Sequence, residues 1–94
     1  MAIVTIFELQ GDTDEIMRVM GEVFGPDTEA IAKEHGGISN TVLDTDDGVL
    51  VVNHWENEEG MEAFAALMRP KAEAAGGGEM VGWRMYEVLQ HRTP

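Results

Sequence analysis

The sequence predicts an α+β sandwich: four antiparallel strands in one sheet, with helices on one of its faces, in the chain order β-α-β-β-α-β. Three observations carry this reading. Four stretches, AIVTIFEL, ISNTVLD, VLVVNHW and EMVGWRMYEVL, have the β-branched, aromatic and apolar content of strands. Two further stretches place apolar residues at helical spacing, one between the first and second strands and one between the third and fourth. The second and third strands are joined only by TDDG, which is turn chemistry. Short connections and right-handed crossovers then lead to a split βαβ arrangement, the ferredoxin-like sandwich, with sheet order 4-1-3-2. A chain of 94 residues makes one such domain, residues 1–94.

The first strand is Ala2–Leu9. In the GDTDE that follows, Asp12 or Thr13 caps a helix, and Glu15 stands where a capping box places its acid. Ile16, Met20, Val23 and Phe24 then form its apolar stripe. Gly25-Pro26 interrupts that stripe, and Pro26 suits the first turn of a second helical piece, PDTEAIAKEH, which Gly36-Gly37 ends. Ile38–Asp44 is the second strand, and Val49–Trp55 the third. The acidic turn between them has only a superficial likeness to a calcium loop: counted from Asp44, the twelfth position is Trp55, where a bidentate Glu belongs. Asn57 caps the next helix, with Glu58 and Glu59 in its first turn at the positive dipole end. Met61, Phe64, Ala65 and Met68 form its apolar face, and Pro70 is expected to break or kink it. Gly76–Gly78 is a flexible joint, Glu79–Leu89 the last strand, and QHRTP a tail.

Composition narrows the function classes. Eighteen acidic side chains face six basic ones, a net charge of −12 that repels phosphate backbones and anionic lipid, so neither nucleic acid nor a membrane surface is an expected partner. The absence of cysteine excludes disulfides, thiolate nucleophiles and cysteine-based metal centres. No stretch is apolar for long enough to span a bilayer, MAIVTIFELQ has no basic region of the signal-peptide kind, and the expected location is the cytoplasm.

Both faces of the sheet ask for burial. A sheet covered on one face alternates apolar and polar residues, yet Val49, Leu50, Val51 and Val52 are apolar on both parities, and Val4 and Ile6 oppose Ile3 and Phe7. Met80 and Val88 likewise oppose Val81, Trp83, Met85 and Leu89. Helices cover one face only. The expected cover for the other is a second copy of the chain, in a homodimer burying about 1,600 Å² or more.

The segment VVNHWENEEGMEAF, a strand ending in Trp followed by acids and a helix, is similar to a segment of the antibiotic-biosynthesis monooxygenase-like group of the dimeric α+β barrel superfamily. EHGG before the second strand resembles that group's Glu-x-Gly helix ending. The resemblance covers nearly the whole chain as a pattern. It implies a dimer and a small-molecule activity such as cofactor-independent oxygenation of aromatic polyketides. The chain departs from the group at three places: Phe64 stands where many relatives have a helix His, Asn53 where many have Glu, and Val51 where oxygenase members can carry a pocket Asn. The haem-degrading pattern needs that helix His, so haem is not expected.

Asn53 and Trp55 share strand parity and so point to one face. A flat indole wall beside an amide that both donates and accepts suits a planar, oxygenated ligand between sheet and helices, with Met61, Phe64, Met68 and Trp83 completing the binding residues. The same two residues can instead simply finish a core. His54 faces the other way and is either a general base or a structural histidine at the dimer side. Arg84 and Tyr86 share one face of the last strand; Arg84 can hold a carboxylate or enolate oxygen, or pair with a carboxylate across the dimer. Candidate catalytic residues are thus Asn53, Arg84, His54 and Tyr86. Asn53 or Arg84 would stabilise an oxyanion, and His54 or Tyr86 would move the proton. His35 suits a helix C-terminus, and His91 lies in the tail. Histidines this scattered, with no glycine-rich phosphate loop opening a helix, imply no metal, flavin or nicotinamide cofactor. Two function classes remain: an enzyme resembling cofactor-independent monooxygenases, and a non-catalytic binding or assembly module of the same fold.

Overall fold

The computed structural model describes all 94 residues. Its strands are β1 (Ile3–Gln10), β2 (Gly37–Thr45), β3 (Gly48–Trp55) and β4 (Glu79–Glu87). Its helices are α1 (Thr13–Val23), α2 (Pro26–Glu34) and α3 (Glu58–Ala75). The sheet runs β2-β3-β1-β4 with every neighbouring pair antiparallel, which is the ferredoxin-like order expected from the sequence. β1 and β3 pair in unbroken register from Ile3 opposite Trp55 to Gln10 opposite Gly48. The β1–β4 ladder shifts register once, at Glu8/Leu9.

Local chemistry sets the element ends. Asp12 caps α1, its carboxylate accepting from the Asp14 N–H at 3.2 Å. Glu15 does not close a capping box; it lies 3.8 Å from Arg18 instead, and Arg18 also pairs with Glu22 at 2.9 Å. The Gly-Pro step separates α1 from α2 as expected, with Pro26 in the first turn of α2, and Thr28 donates its hydroxyl proton to the Val23 carbonyl at 3.0 Å to tie the two helices together. Gly36, at φ +86°, occupies the left-handed position after the His35 C-cap. Asn57 caps α3 by accepting from the Gly60 N–H at 2.7 Å. Gly60 has to be glycine because a Cβ there would overlap the His35 carbonyl oxygen, so the first turn of α3 rests directly on the end of α2.

Two further expectations need correction. Pro70 does not break α3, which runs through it to Ala75. The hydrogen bond that proline removes would have gone to Ala66; both residues are exposed, so water satisfies the freed carbonyl while buried Met61 and Met68 hold the helix to the sheet. β4 ends at Glu87 and not at Leu89, although the Val88 N–H still donates to the Ala2 carbonyl at 2.9 Å.

The helices lie on one face of the sheet. That face carries Ile3, Thr5, Phe7 and Leu9 of β1 and Val49, Val51, Asn53 and Trp55 of β3. Its core is not continuous. One cluster joins Ile3, Trp55 and Met61, with Phe64, Ala65 and Met85 against it; the other joins Ile16, Val49 and Val51, with Phe7, Leu9 and Met20. Between them passes the row Asn40–Asn53–Thr5–Met85, one residue from each strand. On the opposite face Val4, Ile6, Leu50 and Val52 are only half-buried, and Leu43 and Tyr86 are exposed. The two-sided apolar character read from the sequence is therefore present in space.

Candidate functional site

The row that divides the core is polar where a core is ordinarily apolar. Asn53 accepts at Oδ1 from Asn40 Nδ2, which leaves the Asn53 Nδ2 group as a free donor. Beside it in the ladder Thr5 is wholly buried, and its hydroxyl has no hydrogen-bond partner. Two residues along β3, Trp55 is 5% exposed, and its indole N–H is likewise unpartnered. Nearly all buried polar groups in folded proteins find a partner, and one left unmade costs about 1–3 kcal/mol. Two such groups on one face, diagonal neighbours across β1 and β3, form the feature of this sheet that packing alone does not account for.

The indole stands 5.2 Å from the Phe64 ring at an interplanar angle of 45°. Met61 packs on it from α3, and Met68, buried on the same helix, belongs to neither core cluster. Of the residues expected at a pocket beneath α3, Trp55, Met61 and Phe64 pack together, while Met68 and Asn53 lie outside that cluster. Trp83 shares this face, opposite Phe7, but lies on the edge strand and is 48% exposed. The expected cavity itself takes a different form. A cleft of about 300 Å³ opens beside Ile3 and Met85, and another of about 460 Å³ lies where α1 and α2 meet the end of α3; neither is lined by Asn53 or Trp55. The indole is packed against its neighbours, and the polar row meets solvent at exposed Asn40 and half-buried Asn53.

The structure divides the four candidate catalytic residues. Asn53 is on the helix face. His54 and Tyr86 both flank Val4 on the other face, and Arg84 stands opposite Ile6 on that same face. Strand parity forbids all four from serving one cavity within a protomer. Arg84 is exposed and makes no ion pair; the ion pairs of the chain are those of Arg18. His54 is 7% exposed because the tail folds back over it: the His91 ring meets it edge-on, centroids 4.7 Å apart and planes at 74°. No three His, Asp or Glu side chains come together in a metal-binding arrangement.

Sequence reading missed Thr5, Asn40 and His91. Thr5 and Asn40 could have been found only from cross-strand register, since each is unremarkable on its own strand. Nothing in QHRTP signals that its histidine returns to the sheet.

No protein-family model and no curated protein matches the sequence. Solved structures do match. A dimeric ferredoxin-like protein from an uncultured marine organism superposes with a TM-score of 0.76 at 11% identity, covering 99% of this chain and 98% of that one. The N63A mutant of SnoaB, a cofactor-independent oxygenase from Streptomyces nogalater, gives 0.66 at 17% identity over 96% and 93%. The monooxygenase of the ActVA-Orf6 gene of Streptomyces coelicolor, in complex with Nanaomycin D, gives 0.65 at 18% identity over 99% and 91%. The chain thus shares the ferredoxin-like fold of these proteins, the fold that the resemblance of its Trp55 segment implied.

Proposed function

We propose that this protein is a small-molecule enzyme of the cofactor-independent monooxygenase kind, working as a homodimer on aromatic or polyketide-like compounds. The observation that carries this reading is the buried, unpartnered indole N–H of Trp55, held beside Phe64 and next to the Asn53 amide. A flat wall with a donor at its edge suits a planar ligand bearing an oxygen. Fold likeness to an oxygenase and to a ligand-bound monooxygenase supports the class. Without a bound cofactor, such an enzyme works by making its substrate electron-rich, as an enolate or phenolate. In this reading the Asn53 Nδ2 group stabilises that oxyanion.

The homodimer reading rests on the second sheet face. Val4, Ile6, Leu50 and Val52 form an apolar strip that no element of the protomer covers fully, and a protein of the same fold is dimeric. In this reading His54, Arg84 and Tyr86 act at that face. His54 is mainly structural there, and Arg84 pairs across the two-fold axis.

A non-catalytic ligand-binding module is the second reading. It is favoured by the lack of any titratable side chain among the helix-face residues of β1 and β3, which leaves the proton without an acceptor at the ligand. Two measurements on one set of compounds separate the readings. Anthrones, naphthols and quinols that raise the melting temperature are tested for oxygen uptake. Stabilisation with uptake supports the enzyme, stabilisation without it supports the module, and no stabilisation by any of them contradicts both.

A further inference from the structure

We propose that Thr5 is a specificity-determining residue, its hydroxyl and the Trp55 indole N–H together holding one acceptor oxygen of the ligand, a ketone or quinone carbonyl or an ionised phenolate. This rests on the small-molecule reading of the helix face and adds to it the kind of oxygen the site selects.

Three donors meet on that face. An indole N–H can only donate. The Asn53 Oδ1 atom is already engaged by Asn40, so Asn53 offers its Nδ2 protons. The Thr5 hydroxyl accepts no hydrogen bond and makes none, although no part of the residue reaches solvent. Thr5 pairs with Asn53, and Trp55 pairs with Ile3, so Thr5 and Trp55 are diagonal neighbours across an antiparallel ladder. Diagonal neighbours stand about 7–8 Å apart, a separation that an indole and a hydroxyl bridge with one acceptor atom between them. An atom that only accepts satisfies every orphan at once. A protonated hydroxyl can donate to the Thr5 oxygen, but the Thr5 proton then loses the ligand oxygen as its acceptor, whereas a carbonyl or phenolate oxygen takes both protons. Of the three residues Asn53 is the most exposed, so in this proposal the ligand oxygen enters past it.

The test uses 1,4-naphthoquinone and naphthalene as probes, the second having the same ring area and no oxygen. The chain has no cysteine, so the quinone meets no thiol. Affinities are measured by calorimetry for the wild type, Thr5→Val and Thr5→Ser. Thr5→Val keeps the side-chain volume, and its melting temperature is expected to equal or exceed the wild-type value because a buried orphan is removed. It should bind the quinone about tenfold more weakly, the worth of one hydrogen bond, and naphthalene unchanged. Thr5→Ser should return to within about threefold of the wild type. If Thr5→Val binds the quinone as the wild type does, the hydroxyl faces only a buried water and the inference falls, while the function reading stands. Equal wild-type affinities for quinone and naphthalene overturn it without reference to any variant. A wild type that binds neither probe contradicts the function reading and this inference together.

Discussion

Ile6→Lys tests the dimer reading most severely. Ile6 lies on the second sheet face, half-buried in the protomer, between Val52 on β3 and Arg84 on β4. Lysine is the informative choice because Arg84 would neutralise an introduced carboxylate, whereas it repels an ammonium group. In a two-fold interface each substitution acts twice. An uncompensated charge in a buried contact costs about 3–5 kcal/mol, so two copies weaken association by about 6 kcal/mol or more, roughly 10⁴-fold in Kd. A dimer of nanomolar Kd would become a monomer at micromolar concentration. Sedimentation velocity at that concentration reads the change, and far-ultraviolet circular dichroism shows whether the protomer keeps its fold. The wild type should sediment as a dimer and Ile6→Lys as a monomer. A wild-type monomer of 10.3 kDa, or an unchanged Ile6→Lys dimer, refutes the assignment of this face.

Three further substitutions follow from the geometry. Asn53→Ala should weaken binding of an oxygenated aromatic about tenfold while leaving sedimentation unchanged, since the lost partner Asn40 is exposed; calorimetry and sedimentation together check this. His54→Ala should do the reverse, lowering dimer affinity with little effect on ligand affinity, because it removes the ring under His91 on the opposite face. Pro70→Ala should stabilise the protein by about 1–3 kcal/mol, read from urea denaturation, because it restores a helical N–H at an exposed position where α3 already continues.

Much of the fold was legible because its signals are local. Strand parity put Asn53 and Trp55 on one face and His54 on the other from spacing alone, and the Gly25-Pro26 step divided the first helical region where the structure divides it. Asn57 announced α3 by its capping chemistry. Long-range information was missing. Thr5 became part of the candidate site through the β1–β3 register, which is set by a crossover containing two helices and not by a tight turn whose length can be read off. Pro70 misled because helix propensity speaks for the isolated segment, whereas burial of Met61 and Met68 decides whether the helix continues. The His54–His91 contact depends on a tail whose path no periodicity encodes.

The proposed function requires the ligand to sit on the helix face, against Trp55 and Asn53, and not on the face of His54 and Arg84. Nitrogen–proton correlation spectra of the wild type, recorded as 1,4-naphthoquinone is added, address it directly. The Trp55 indole N–H and the Asn53 side-chain amide should shift together, with Thr5 and Phe64 backbone signals, while those of Val4, His54 and Arg84 stay in place. Shifts confined to His54, Arg84 and Tyr86, with the Trp55 indole unmoved, would contradict it.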